Sequence, residues 1–352
     1  MKKGWTLVLL GLMVSCSVFP VVSSQTPLPK STPLGVTLYV GGTGPHNFTT
    51  IQSAINAAAN GDTVFVYDDS APYHEMVIVN RSISLIGENE TSTIINASSY
   101  GSMIIVYADN VTIRNFTLQH SWVDGVLVMA NRSVALSHLT INYSWKYGIC
   151  IEPYRTRSSS ISISDCTISE FLCGIHLGST NDTVVERNII SYSECGIGLD
   201  KATRSTIAHN VMLSCDYGIG CTLSWDNTFT RNYIQGSLYG VYQDYSANRF
   251  EQNTFMDNSL NAFFTRMPLL AIETKKEAAQ ANDSFFAQHF PVLDISRWSG
   301  NYWGRPEVLP HPIFGIRGWL MPDVGARWYY PWIPGPRFEV DWHPAKAPYD
   351  VP

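Results

Sequence analysis

The chain of 352 residues is poor in charge: only 15% of it is Asp, Glu, Lys or Arg, where an average globular protein has about 25%. It has 23 Lys and Arg against 29 Asp and Glu, a net charge of −6 and no basic face. A nucleic-acid partner is therefore not expected. A hydrophobic content of 45% excludes a disordered chain. No Cys-x-x-Cys pair suggests zinc. The nine histidines are scattered, and neither His-x-His nor Met-x-x-Met occurs, so a copper site is not expected either. The central repeats lack any helical apolar stripe, which leaves short strands as their building blocks.

The N-terminus reads as a targeting segment. Lys2 and Lys3 precede the apolar run Trp5–Val22, and Val22-Ser23-Ser24 offers a small-residue cleavage site before Gln25. Three fates fit residues 1–24: a cleaved signal peptide, an uncleaved anchor of membrane-spanning length, or a lipoprotein through the loose lipobox Met13-Val14-Ser15-Cys16. Each places the body outside the cytoplasm, at the cell surface, with membrane attachment through the N-terminus only. Residues 25–37 form a Pro-containing linker. Sequons at Asn47, Asn80, Asn89, Asn96, Asn110, Asn115, Asn131, Asn142, Asn181 and Asn282 agree with export. A turn-rich fold also generates such triplets by chance, because Asn, Ser and Thr are turn residues.

A repeat dominates residues 110–267. Gly125, Gly148, Gly174, Gly196, Gly218, Gly240 and then Ala262 recur at intervals of 23, 26, 22, 22, 22 and 22 residues. Three more columns keep this register. One is Ile113, Leu136, Ile163, Val185, Ile207, Phe229, Phe250. A second is Phe116, Leu139, Cys166, Asn188, Asn210, Asn232, Asn253. The third is Leu118, Ile141, Ile168, Ile190, Met212, Ile234, Phe255. Apolar residues alternate in runs of three to five, which is strand periodicity. Short strands at a fixed period define a solenoid. The fold class is all-β: a right-handed parallel β-helix with three strands per coil, like residues stacked about 4.8 Å apart. An ordinary β-sandwich has no reason to hold four columns in register.

The period breaks once, where four extra residues lie near Glu152-Pro153-Tyr154-Arg155-Thr156-Arg157. An insertion in a solenoid becomes a surface loop, idle or binding. Upstream, Thr49-x-x-Gln52 reads as a capping box for a helix over Ile51–Ala59, closed by Asn60-Gly61. That helix lids the first coil. Downstream, residues 298–352 hold six of the ten tryptophans and ten of the nineteen prolines, a composition suited to an irregular cap. The organisation is thus 38–109 for the N-terminal cap and first coils, 110–267 for the repeats, 268–297 as a connecting segment and 298–352 as the C-terminal cap.

The segment LYVGGTGPHNFTTIQSAINAAANGDTVFVYDDSAPYHEMVIVNRSISLIGENETSTIINA resembles the leading segment of right-handed parallel β-helix proteins on microbial, especially archaeal, cell surfaces. The repeats resemble the parallel β-helix repeats of the NosD-like branch of the pectin-lyase-like superfamily, named for a periplasmic accessory protein of nitrous oxide reductase maturation. The tail, GNYWGRPEVLPHPIFG with VDWHPAKAPYD, is similar to the C-terminal piece of some archaeal members. The resemblance covers residues 38–267 and the tail, and it implies fold far more than function.

Enzymes of this architecture act on polysaccharides. A hydrolase needs two carboxyls about 6.5–9.5 Å apart. A lyase needs a base, often with Ca²⁺ held by carboxylates. Four residues after the repeating glycine stand Glu152, Asp200 and Asp244, separated by Gly178 and Thr222. That spaces the carboxylates two coils, about 10 Å, apart. The repeats contain no clustered Asp-Asp, His-Gly or Arg-x-Lys motif of the pectin hydrolases, and no Asp-Pro-His of the alginate epimerases. A catalytic cleft, if there is one, lies near Glu152, Arg155, Arg157, His176 and Asp200. Cys173 and Cys195 share a column on adjacent coils, within disulfide range; the other body cysteines read as buried thiols. Trp303, Trp319, Trp328, Tyr329, Tyr330, Trp332 and Trp342 either stack on sugars or pack as a cap. The sequence reading is of an exported protein that binds carbohydrate or envelope components. Its alternatives are a polysaccharide lyase, hydrolase or epimerase, with Ca²⁺ in the lyase case, and a purely structural envelope protein.

Overall fold

The computed structural model describes residues 35–97, 101–154, 156–266, 296–304, 311–317, 335–341 and 343–349. The N-terminal targeting segment, Arg155, Asn282, the connecting segment up to 295, and Trp319, Trp328, Tyr329, Tyr330, Trp332 and Trp342 lie outside them. Among the described residues, no helix is long and apolar enough to cross a membrane.

The columns found in the sequence are strand registers. Ile163 pairs with Leu136 and Val185, Ile190 with Ile168 and Met212, and Cys195 with Cys173 and Tyr217, all in parallel strands. The result is a right-handed parallel β-helix of about ten turns. The aliphatic columns point inward and are fully buried, from Ile113 to Phe250 and from Leu118 to Phe255. Two of them end in aromatic stacks: Phe229 on Phe250 at 4.6 Å, Phe250 on Trp298 at 4.2 Å, and Phe255 on Trp303 at 4.8 Å. Trp298 is thus the next rung of the Phe250 column, and the coil register runs on past residue 267.

The asparagine column is a continuous hydrogen-bonded ladder. Asn188, Asn210, Asn232 and Asn253 are buried. Each Nδ2 donates to the Oδ1 of the next rung, at 2.9 Å, 3.1 Å, 3.0 Å and 3.0 Å, ending on Asn301. Each Oδ1 also takes the backbone N–H of the preceding rung, and each Nδ2 also reaches a main-chain carbonyl on the preceding coil. Such a ladder needs an acceptor at its end. Asp341 provides it, taking Asn301 Nδ2 and the Asn301 N–H at 3.0 Å each, and Trp303 Nε1 at 3.2 Å. Glu339 plays the same part for the neighbouring polar column, receiving the Ser296 N–H and Trp298 Nε1. Both carboxylates come from the strand Gly335–Asp341, which pairs antiparallel with His311–Arg317. The described part of the C-terminal cap therefore includes an ordered strand pair, beside residues 343–349, which form no strand or helix. Trp303 is buried in it and is no sugar platform.

Two local devices make the coils tight. At each repeating glycine a side chain would collide with the next coil: a Cβ on Gly218 would lie 2.4 Å from Ile234 Cγ2 and 2.7 Å from the Gly240 carbonyl oxygen. The corners turn on single left-handed residues at matching positions, as at Asp165, Arg187, His209, Arg231 and Gln252. Their side chains are unbranched at Cβ, as this strained conformation favours. Adjacent corners are tied by bidentate pairs, Arg187 to Asp165 and Arg204 to Asp182.

The lid helix α1 spans Ile51–Ala57 and ends two residues earlier than its pattern suggests. Its N-cap is Thr50, whose hydroxyl accepts from the Ser53 N–H, and not Thr49. Gln52 bonds the Ile78 backbone at 2.7 Å and 3.2 Å instead of reaching back. Glu75 takes the free N–H groups of Ile51 and Gln52. The helix buries Ile51, Ala54 and Ile55 over the first strands.

Asn210→Ala removes one rung: in the interior the Asn188 backbone N–H loses its acceptor and the Val185 carbonyl loses a donor, while Asn188 Nδ2 keeps the Ile163 and Glu186 carbonyls. Each such orphan costs about 1–3 kcal/mol, so urea unfolding should show a loss of about 3 kcal/mol or more at unchanged m-value. A loss below about 1 kcal/mol would mean the ladder contributes little.

Candidate functional site

One outward face gathers the chemistry. It is built from the parallel strands Asp124–Val128, Tyr147–Ile151, Cys173–Gly178, Cys195–Asp200, Tyr217–Thr222, Tyr239–Asp244 and Leu260–Arg266. In the first six strands alternation sends Ile or Val into the core, and in the last Ala262, with the following residue turned outward. Ile175, Ile197, Ile219 and Val241 are buried, while His176, Gly198, Gly220 and Tyr242 form the outward column between them.

Aromatic rings stand at both ends of that column. Tyr147 and His176 stack with centroids 4.7 Å apart and planes 7° from parallel. Tyr217 and Tyr239 stack at 5.3 Å, also at 7°. Tyr242 meets these two edge-on at 5.6 Å and 5.9 Å, and Phe263 stacks on Tyr242 at 6.0 Å. Between the groups, two successive coils place only glycine outward, leaving a recess. The Cys173 and Cys195 thiols line it: a Cβ on Gly198 would sit 3.1 Å and 3.5 Å from their sulfurs and 3.6 Å from His176 Nδ1.

Acids border the recess on both sides. Asp200 follows Gly178 in register and is followed by Thr222 and Asp244. Asp200 pairs with Lys201 at 3.1 Å, and Asp244 accepts from the Thr265 hydroxyl. Glu152 is exposed at the start of the same edge. On the opposite edge, exposed Glu194 and Asp216 directly precede Cys195 and Tyr217. Lys146 lies 4.6 Å over the Tyr147 ring. Asp124 is buried, accepts from Ser102 Oγ at 2.7 Å, and is held above the usual carboxylate range by that burial.

Of the predicted set, Glu152, His176 and Asp200 come together, close enough that both carboxylates favour the charged ring; burial outweighs them and lowers the His176 pKa. Arg157 is committed elsewhere, donating to the Lys201 carbonyl at 3.0 Å and to Thr203 Oγ1 at 3.4 Å. Arg155 is outside the described residues. The extra residues do form a loop, since Ile151 and Ser159 pair with Val128 and Arg132 on the preceding coil. Cys173 and Cys195 are register partners as expected, but both are free thiols. A hydrogen bond to Cys195 and then burial push the Cys173 thiol up, and burial, with smaller contributions from nearby acidic groups, pushes Cys166 and Cys215 up to about 12. Such thiols stay protonated and unreactive near neutrality. The aromatic residues were missed as a site. Tyr147, Tyr217 and Tyr239 each stand directly before the repeating glycine, and that recurrence was the available signal.

His176 should titrate with a midpoint below about 6.5 by NMR. Its lowered folded pKa supplies stability above the unfolded value, and this is lost as pH falls through the folded one; a midpoint above 6.5 would contradict the burial argument. Alkylation of the native protein at pH 8 should label half-buried Cys195 before buried Cys173. If neither is labelled until a reductant is added, the pair is a disulfide in solution.

Comparison with solved structures gives an alginate lyase from Paenibacillus sp. str. FPU-7, with a TM-score of 0.51 at 14% identity, covering 66% of this chain and 93% of that one. The mannuronan C-5 epimerase AlgE4 A-module of Azotobacter vinelandii has a TM-score of 0.47 at 14% identity, with 61% and 86% covered. A pectin methylesterase from carrot has 0.45 at 13%, with 64% and 85% covered. At these identities the likeness is one of fold. A search of curated proteins finds no match. The profile of one family, described as periplasmic copper-binding protein (NosD), matches residues 49–308. With most of its length matched, this chain belongs to the NosD family.

Proposed function

We propose that this chain is an exported β-helix protein that binds carbohydrate in the recess between its two aromatic groups. The observation that carries the reading is the pair of half-buried stacks, Tyr147–His176 and Tyr217–Tyr239, on either side of Gly198 and Gly220. Aromatic faces receive the apolar C–H faces of pyranose rings, and bordering carboxylates and hydroxyls receive sugar hydroxyls. Glu152 and Asp200 stand two coils apart, about 10 Å between their backbones, against about 6.5–9.5 Å between the carboxyls of an inverting pair and about 5–5.5 Å in a retaining one, and this spacing favours binding over catalysis. Export belongs to the same proposal. So do glycans at the exposed sequons Asn80, Asn89, Asn110 and Asn131, and surface attachment through the N-terminus.

The family description brings copper, which the described residues do not fit. Among them no group of three His, Cys, Asp or Glu side chains is placed to hold a metal ion. Cys173, Cys195 and His176 all lie around Gly198 without forming such a group. Copper(I) binds thiolates, and Cys173 is held as a protonated thiol.

A glycan-array screen of the purified protein, followed by calorimetry, tests the binding reading. Tyr217→Ala and Tyr239→Ala should each weaken the best ligand about tenfold, or about 1.4 kcal/mol. Tyr233→Ala, on another face, should leave it unchanged. The reading fails if no glycan binds, or if both recess variants bind as the unaltered protein does.

A further inference from the structure

We infer that Cys195 and Cys173 form a thiol–disulfide exchange site: Cys195 reacts with small disulfides from solution and passes the bond to Cys173, cross-linking two coils beneath the recess. The two residues are register partners on adjacent parallel strands. Such strands lie about 4.8 Å apart, and a disulfide fits Cα separations of about 4.4–6.8 Å. The bond therefore needs no change of register. The side chains already meet. Their sulfurs lie 3.1 Å (Cys173) and 3.5 Å (Cys195) from the point where a Cβ on Gly198 would stand, and the two thiols share a hydrogen bond.

The pair is asymmetric, and the asymmetry sets the order of events. Cys195 is half-buried, whereas the other described cysteines are buried. Cys150 turns its thiol to the Glu152 carboxylate at 3.9 Å, and Cys166 and Cys215 turn theirs to main-chain carbonyls at 3.2 Å and 3.6 Å. Cys195 Sγ instead lies beside both glycines of the recess floor, 3.2 Å from where a Gly220 Cβ would stand. It is the thiol that meets a reagent first. Its thiolate attacks one sulfur of the small disulfide, the reagent's S–S bond breaks, and one half leaves as a thiol, taking up the proton that Cys195 lost. Cys195 now carries a mixed disulfide. The Cys173 thiol is held up first by its hydrogen bond to Cys195 and then by burial. Capping Cys195 removes the first of these causes, so Cys173 becomes the attacking thiol only in the second step. It attacks Cys195 Sγ and expels the other half of the reagent, again as a thiol. In sum the two cysteines lose two electrons and two protons, and one small disulfide becomes two thiols. The new bond ties the coil of residues 173–195 into a closed loop and pulls Cys195 Sγ away from Gly220. The oxidised and reduced proteins thus present different recess floors.

The test uses the full chain, fully reduced and freed of reductant, then held with millimolar oxidised glutathione at pH 8. None of its readouts depends on whether the recess binds carbohydrate. The intact mass should fall by about 2 Da, with no glutathione retained. Digestion with trypsin and a Glu-specific protease, which cut between all the cysteines concerned, should yield one linked pair of peptides, carrying Cys173 and Cys195. A dithiol reductant should restore the original mass. Cys173→Ser should stop at the first step and keep one glutathione, a gain of about 305 Da on Cys195. Cys195→Ser should neither lose mass nor gain glutathione. An unchanged mass of the unaltered protein overturns the inference, and this readout does not depend on either variant folding. So does a bond that joins Cys150, Cys166, Cys215 or Cys221, or a glutathione adduct that forms on a cysteine other than Cys195.

Discussion

Hydrogen bonds from one coil to the next, at an offset close to 22 residues, hold everything else in place. They are the backbone bonds of parallel strands and, inside them, the side-chain ladder from Asn188 to Asp341. Each Asn has both a donor pair and an acceptor, so every rung satisfies its neighbour as well as the local main chain. Removing a rung would leave buried polar groups with no water to turn to. The ladder thus fixes the offset, and the offset puts like residues over like residues.

A ladder of identical rungs has two ends, and each end is a chemical problem. At the far end the last amide needs an acceptor that demands no acceptor of its own. A carboxylate is such a group, and Asp341 and Glu339 are placed there by a strand pair that also covers the open sheet edges. At the near end the first coil is lidded by α1, whose exposed N–H groups are taken by Glu75. The Phe250–Trp298 and Phe255–Trp303 stacks carry the apolar core into this closure.

The outer face inherits its geometry from the core. Because strands stack in register, an outward residue is repeated every coil, and a choice at one position becomes a column. Tyrosines make an aromatic wall, successive glycines make a recess, and acids on every second coil make a charged margin. The recess needs no loop to shape it. Even the inserted loop after Ile151 departs from the edge of this face without disturbing the register on either side.

The sequence by itself determined the solenoid. Four columns at one spacing are a one-dimensional record of a structure in which each coil contacts only its neighbours. The inward Asn, the apolar columns and the glycine collisions were all legible for that reason. The lid helix was legible too, although its N-cap is Thr50 and its Gln52 serves the neighbouring strand. Only the tertiary structure decided which residues turn together on the surface. It joined Tyr147 to His176 and Tyr217 to Tyr239, and turned Arg157 away to bind a backbone carbonyl. It also showed Trp303 to be core, and Cys173 and Cys195 to be free thiols beside a glycine floor. The physical reason is that periodicity reports which side of a strand a residue occupies, whereas ring stacking, ion pairing and burial depend on the separations between coils that only the folded chain sets.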